Sequence, residues 1–352
     1  MEKRQFGFGI IGAGTISEIH ALAIDRIPNA KLYGVYSINK NKSQAFADKH
    51  GCTSYDSLEA LLNVAEIDLV CICTPSGIHL EPAVRCLEAG KHCVIEKPLE
   101  VTLEKCDRII EAVEKTGLKT AVVFPSRYYE KSQQIKKALD ENRFGDLVLG
   151  SASVKWNRSE AYYQSAGWRG TWGLDGGGAL MNQGIHSVDL LQWYMGDVEA
   201  VQAVTANRKH KTIEVEDTVV ATLQFASGAL GTIACSTAVY PGVLKRIEIM
   251  GTSGTAILEE AHLLNWHFEK EKAEDELILK PMPGANPSQG GVSNPAAISF
   301  AGHQRQLEEM ICSIQTGKKL LVDAQEGRKS VAIVLAIYES ARTGKKVAVH
   351  HP

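Results

Sequence analysis

The 352-residue chain has no apolar run near the roughly 20 residues that a bilayer-spanning helix needs, so a helical membrane protein is excluded. It has no block of like charge long enough to act as an interaction tail. Its formal net charge of -3 offers no basic footprint for nucleic acid. None of its eight cysteines (Cys52, Cys71, Cys73, Cys86, Cys93, Cys106, Cys235 and Cys312) lies in a Cys-x-x-Cys pair. No metal is therefore expected, and free thiols in a reducing compartment are. Internal repeats and low-complexity tracts are missing too. The N-terminus imitates a secretion signal only loosely, because Gly7, Gly9, Gly12 and Gly14 interrupt its apolar part and no small-residue cleavage site follows. A cytoplasmic location, with neither membrane nor nucleic-acid partner, is the expectation. What is present is ordinary globular composition, 44% hydrophobic and 22% charged, over a length that suggests two domains.

Residues 1–124 alternate strand and helix patterns. Apolar runs at Phe6–Ile11, Lys31–Ser37, Ile67–Thr74, His92–Glu96 and Lys119–Phe124 are separated by helical spacing at Thr15–Arg26, Lys42–His50, Asp56–Asn63, Ile78–Ala89 and Leu103–Lys115. Asp56 and Thr102 are the expected caps. Short strands regularly separated by helices predict a doubly wound parallel sheet covered on both faces. The pattern changes after Pro125. A helix at Lys131–Glu141 precedes alternating segments at Leu147–Trp156, Ala200–Ala206, Thr218–Phe225, Ala229–Cys235, Lys245–Met250 and Thr255–Glu259, with turn signals at Ser227-Gly228 and Thr252-Ser253-Gly254. Residues 281–299, rich in Pro, Gly, Ser and Asn, predict a long loop, and helices are expected at Gly302–Gln315 and Ala324–Thr343. The expected class is α/β, with an α+β domain over 125–352 built on an open, mainly antiparallel sheet.

Gly12-Ala13-Gly14-Thr15-Ile16-Ser17 lies between the first strand and first helix and matches G-x-G-x-x-small. Gly12 permits the tight turn, Gly14 lets the backbone approach a pyrophosphate, and Ser17 is small enough for close helix–strand packing. The free N–H groups of the helix start, at Thr15 and Ile16, and the helix dipole then favour the anion. This context reads as a Rossmann dinucleotide site. The second strand ends in Ser37-Ile38-Asn39-Lys40, without the acid that normally meets the ribose hydroxyls. That loss, with Lys40 and Lys42 nearby, tilts the expectation from NAD toward NADP. Thr74-Pro75, His79 and Glu96-Lys97-Pro98 follow strands at the carboxyl edge of the sheet, where open α/β folds bind ligands.

Those motifs precede Asp175-Gly176-Gly177-Gly178-Ala179-Leu180-Met181-Asn182-Gln183-Gly184-Ile185-His186-Ser187-Val188-Asp189 in the second half. Taken together and in this order, they resemble the glucose–fructose oxidoreductase/inositol dehydrogenase/MocA family over nearly the whole chain. The resemblance implies a nicotinamide against the edge holding Lys97, with Lys97 and His186 as the acid–base pair. The chemistry is sound from below: oxidising an alcohol requires removal of its hydroxyl proton, which a histidine titrating near neutrality can accept. A lysine beside the oxidised nicotinamide loses its proton more easily by like-charge repulsion. Many members of the family carry aspartate where this chain has Asn182, and an amide binds a hydroxyl without acting as a base.

The stretch from Trp156 to Leu191, with Trp168-Arg169-Gly170-Thr171-Trp172 and His303, resembles a subgroup of sugar-nucleotide 3-dehydrogenases. Arg158 and Arg169 suit a carboxylate or phosphate. Arg127, Tyr163, Trp168, Asn182 and His303 are further candidates for contacting a sugar-like substrate. The resemblance also implies a homodimer or homotetramer through the open face of the C-terminal sheet. Two alternatives stay open: a glycosidase that keeps NAD bound and oxidises C3 transiently, and a non-catalytic cofactor sensor.

Overall fold

The computed structural model describes residues 4–279 and 299–351, so most of the expected 281–299 loop lies outside the described residues. Two compact units emerge. The first holds the residues through Pro125 together with Ser299–Arg328, and the second holds the remainder.

The first unit is built on six parallel strands in the order β3-β2-β1-β4-β5-β6: β1 (Phe6–Ile11), β2 (Ala30–Tyr36), β3 (Thr53–Tyr55), β4 (Leu69–Ile72), β5 (His92–Ile95) and β6 (Thr120–Val122). Strand order reverses between β1 and β4, which creates the crevice at the carboxyl ends where such sheets bind ligands. Every residue of β1 and β4 is buried, as their unbroken apolar character demands. Thr102 caps its helix as expected, accepting from the Lys105 N–H at 3.3 Å. Asp56 does not cap. Ser57 accepts from the Ala60 N–H and starts the short helix Leu58–Leu62, while Asp56 pairs with Lys40 at 2.7 Å. The edge strand β3 was not expected; its three residues, Thr53 exposed and Ser54 and Tyr55 half-buried, carry no apolar signal.

The helix Ala301–Thr316 belongs to this first unit, although its place in the sequence puts it in the expected second domain. Leu307, Met310 and Ile311, at helical spacing, join Phe6, Phe8, Ile10, Ile24, Leu69 and Val94 in one core. Hydrophobic spacing shows that a helix has a buried face and is silent on which core receives it.

The second unit is an eight-stranded sheet in the order β13-β12-β11-β7-β10-β9-β8-β14, comprising β7 (Leu147–Lys155), β8 (Val198–Ala206), β9 (Thr218–Phe225), β10 (Leu230–Ser236), β11 (Arg246–Gly251), β12 (Gly254–Glu259), β13 (His262–Phe268) and β14 (Val347–Ala348). Among the described residues of this sheet only β7 and β10 pair in parallel; the other pairings are antiparallel. Along β9, Val219, Ala221, Leu223 and Phe225 are buried and alternate with exposed residues, so one face is covered and the other open. The covered face carries the helix Ile185–Met195 against β7 and β11. The strand β13 escaped the sequence reading because its hairpin turns at Glu260, a non-glycine residue at φ 51°, without a glycine or asparagine signal. Among the described residues no helix is long and apolar enough to cross a membrane.

Candidate active site

The turn after β1 is shaped by backbone contact. Gly12 sits at φ +101°, and a Cβ there would lie 2.6 Å from the Cys73 carbonyl oxygen at the end of β4. Only glycine fits that conformation and that gap. Gly14 has open space around its missing side chain, and both Gly14 and Thr15 are exposed at the start of the helix Thr15–Asp25. Ser17 does more than stay small. Its buried hydroxyl accepts from the Gly14 N–H at 2.8 Å and donates to the Gly14 carbonyl at 2.9 Å, closing the turn on itself. An open backbone cradle at a helix N-terminus is what a pyrophosphate requires, so these residues fit a dinucleotide. At the end of β2, Ser37 is partly exposed, and Asn39 caps the next helix by accepting from the Lys42 N–H at 3.0 Å. Lys42 is exposed, whereas Lys40 is shared with Asp56.

Beyond β5 lies a buried network. Between Cys93 and Glu100 every residue is buried except Lys97, which keeps partial access. The Glu96 carboxylate accepts from the Lys97 backbone N–H at 3.3 Å, lies 2.8 Å from the His20 Nε2 and 3.7 Å from the His303 Nε2. Burial alone would raise the Glu96 pKa; the contacts from His20 and His303 overcome it and hold the carboxyl well below its ordinary range. Glu96 is thus an anchored anion that holds the Lys97 backbone N–H. These three side chains place one ligand atom each within 4.8 Å of one another, the spacing of a metal-capable set, and here His20 and Glu96 bond directly to each other. His79 ties two loops together: its Nδ1 lies 2.9 Å from the Pro98 carbonyl and its Nε2 3.1 Å from the Thr74 carbonyl, and the ring is buried. It braces Thr74-Pro75 and Glu96-Lys97-Pro98, with both ring nitrogens engaged by protein.

In the second unit the glycine run leads into a π-helical turn, Ala179–Gly184, that passes directly into the helix Ile185–Met195. Such turns are rare and concentrate at functional sites. From Ala179 to Met195 only Asn182, His186 and Trp193 retain partial exposure. Asn182 and His186, four residues apart, are thus two polar groups open on an otherwise buried segment. Asn182 donates to Asp175 at 2.6 Å, and Asp175 also accepts from the Gly170 N–H at 2.8 Å. Gln183 donates to the Tyr162 hydroxyl at 2.9 Å, and Arg169 donates to the same oxygen at 2.6 Å. The Arg169 guanidinium lies over the rings of Tyr162 (4.3 Å) and Trp168 (4.7 Å), while Arg158 lies over Tyr162 (5.3 Å) and Trp156 (5.1 Å). Burial pulls the Arg158 pKa down. No carboxylate lies within ion-pair distance of Arg169 among the described residues.

Three expected substrate contacts have other structural roles. Arg127 is buried in a two-pronged pair with Asp189, Nε to Oδ2 at 2.9 Å and Nη2 to Oδ1 at 2.7 Å. That pair ties the turn Pro125–Tyr128 to the helix bearing His186. Tyr163 is buried with its hydroxyl on Thr237 at 2.8 Å; its neighbour Tyr162 meets the arginines instead. His303 is buried in the first unit against Glu96. The sequence reading missed His20, Tyr162, Asp175 and Gln183. The adjacent Tyr162-Tyr163 offered no choice by residue type, because only the orientation of the helix Glu160–Gln164 separates them.

Comparisons with known proteins identify the family and the fold. Residues 6–124 match the family model described as an oxidoreductase family with NAD-binding Rossmann fold, and residues 132–257 match the GFO/IDH/MocA C-terminal domain. The WlbA dehydrogenase from Bordetella pertussis, solved with NADH and UDP-GlcNAcA, is 32% identical, with 100% of both chains covered and a TM-score of 0.89. The D-glucoside 3-dehydrogenase of Escherichia coli (strain K12) is 26% identical over 96% of both chains. The myo-inositol 2-dehydrogenase of Thermotoga maritima is 29% identical over 96% of this chain and 97% of its own.

Proposed function

The chain belongs to the Gfo/Idh/MocA oxidoreductases, and on that premise we propose that it oxidises a secondary alcohol of an acidic sugar, His186 and Lys97 acting as acid–base groups. It is an NAD-binding oxidoreductase of the sugar and polyol dehydrogenase type. A bound nicotinamide dinucleotide supplies the hydride acceptor. His186 takes the hydroxyl proton, Lys97 polarises the substrate oxygen, which stays on carbon as the carbonyl, and Asn182 holds a neighbouring hydroxyl while Asp175 fixes its amide. The buried Glu96 anion keeps Lys97 at the sheet edge through its backbone. The observation that carries the reading is the selective access of Lys97, Asn182 and His186 within segments that are otherwise almost wholly buried.

The substrate class follows from the arginines. Arg169, lying over two aromatic rings and lacking a carboxylate within ion-pair distance among the described residues, supports recognition of a sugar carboxylate or the phosphate of a nucleotide sugar. Replacing Arg169 with glutamine is expected to raise KM for such a substrate about tenfold to hundredfold, the worth of a charge-assisted hydrogen bond, with kcat little changed. Steady-state kinetics on acidic and neutral sugars side by side checks this; equal effects on both would remove the anion role.

The ribose end supports NADP alongside NAD. No carboxylate stands at positions 37–42 to repel a 2′-phosphate, and Lys42 is exposed there. Placing aspartate at Ser37 is expected to shift the ratio of kcat/KM toward NAD by at least about tenfold. The open sheet face places Val204 beside Val220 and Leu149 beside Leu230, all exposed, which supports a second copy of the chain as its occupant.

The first assay offers NAD and NADP in turn with free sugars, polyols, glycosides and nucleotide sugars, following reduced nicotinamide and analysing products. Cofactor reduction with an acidic sugar supports the reading. A silent absorbance trace with a cleaved glycoside would replace it with a glycosidase that retains its cofactor, and silence in both would leave a cofactor-binding sensor.

A further inference from the structure

The glycine run that precedes Asn182 is gripped by two groups that the proposed chemistry does not use. The Glu216 carboxylate accepts from the Gly178 N–H at 2.9 Å, from the Leu180 N–H at 2.8 Å and from the Tyr338 hydroxyl at 3.0 Å. The Glu216 carbonyl accepts from the Ala179 N–H at 3.0 Å. The Tyr338 hydroxyl in turn accepts from the Met181 N–H at 3.2 Å. Four consecutive amides, from Gly178 to Met181, are thereby held by Glu216 and Tyr338. These amides open the π-helical turn Ala179–Gly184, where a helix start leaves its N–H groups without internal partners. The approach is close enough to dictate sequence. A Cβ on Gly178 would lie 1.8 Å from the Glu216 carbonyl oxygen, and one on Gly177, at φ +156°, would lie 2.2 Å from the Tyr338 hydroxyl.

We infer that Glu216 and Tyr338 form a clamp that sets the π-helical turn, making Glu216 a positioning residue for Asn182 and His186. The kinetic part of this inference rests on the dehydrogenase reading; the structural part does not. Burial pushes the Glu216 carboxyl up to about 7, the hydrogen bonds from Leu180, Tyr338 and Gly178 opposing it only in part. The titratable groups that couple to it are Tyr338 on the helix Ala324–Thr343, Cys235 on β10 and Tyr163 on the helix Glu160–Gln164. Each is itself pushed up by burial and is neutral at neutral pH. Ionised Glu216 accepts from all three donors. Protonation places a hydrogen on one oxygen and removes an acceptor from the clamp. The turn is therefore fully gripped above about 7 and loosened below it. Folding stability runs the other way. The raised pKa contributes stability that is fully present below the ordinary carboxylate value and is lost as pH rises through about 7.

The test is hydrogen exchange of peptides spanning residues 176–186 between about pH 5 and 8, in the wild type and in Glu216→Gln and Tyr338→Phe. Peptides from β9 correct for the intrinsic pH dependence of exchange. The wild type is expected to gain protection as pH rises. Glu216→Gln, which turns an amide toward a backbone donor, is expected to stay unprotected throughout. Tyr338→Phe fills the same volume and is expected to lose protection at Met181 while retaining the pH dependence. In kinetics, Glu216→Gln is expected to lower kcat about tenfold to hundredfold, with the loss greatest at high pH, as displacement of catalytic groups by fractions of an ångström does. Exchange in Glu216→Gln that follows the wild-type pH course overturns the clamp. A wild type inactive on every sugar but showing pH-dependent protection upholds the clamp and removes the dehydrogenase reading alone.

Discussion

Replacement of Lys97 by methionine or of His186 by glutamine is expected to lower kcat by about two to four orders of magnitude, the usual contribution of a positioned acid or base. Each change keeps the approximate volume of the side chain. Lys97 is anchored by its own backbone N–H on Glu96 and stands on buried neighbours, so methionine there removes the ammonium and keeps the backbone anchor. His186 is the second residue of the helix Ile185–Met195 and keeps partial access on an otherwise buried segment, and glutamine retains hydrogen bonding without a group that titrates near neutrality. Dinucleotide binding, followed by quenching of intrinsic fluorescence, should persist in both variants because the Gly12–Ser17 turn is untouched. The double variant should lose far less than the product of the single losses, because the proposal assigns both residues to one proton transfer. A wild-type kcat in either single variant would remove that residue from the chemistry.

The second large effect is on folding. Asp189→Ala is expected to destabilise the protein by about 3–5 kcal/mol, because it strands the Arg127 guanidinium in a buried position. Both partners are almost fully buried and meet through two parallel hydrogen bonds. Thermal or urea denaturation measures the loss. Removing both charges together, with Arg127→Leu and Asp189→Leu, should restore much of it, since an apolar pair of similar volume replaces a desolvated one. A double variant no more stable than Asp189→Ala would mean that the helix bearing His186 depends on this pair for its placement rather than for its charge balance. Arg127 stood out in the sequence as a substrate contact because an isolated arginine carries no sign of its partner. Asp189 lies 62 residues away and reveals the pairing only once the chain has folded.

The same distinction runs through the molecule. The parallel sheet, the glycine turn and the Glu96-Lys97-Pro98 edge were legible because each depends on neighbours close in sequence: alternation of apolar runs and helices, a positive φ at Gly12, and a strand ending in a polar loop. The strands β7 to β12 of the mainly antiparallel sheet showed by period and turn residues, and β13 did not, because its turn residue is atypical. His303 was singled out for substrate and belongs to the Glu96 network, since its helix packs on the first core after the chain has traversed the second sheet. His79 was singled out for cofactor and engages two carbonyls from neighbouring loops. Tyr162, Gln183, Glu216 and Tyr338 became visible only as partners. Local rules therefore determined the class of fold and the dinucleotide turn, and they supplied the residue types to which proton transfer is assigned in the proposal. Tertiary structure alone decided which charges are matched, which histidine is exposed, and which of two adjacent tyrosines faces the arginines. The physical reason is that burial and hydrogen-bond pairing are properties of positions in space, and residues far apart in the chain set them jointly.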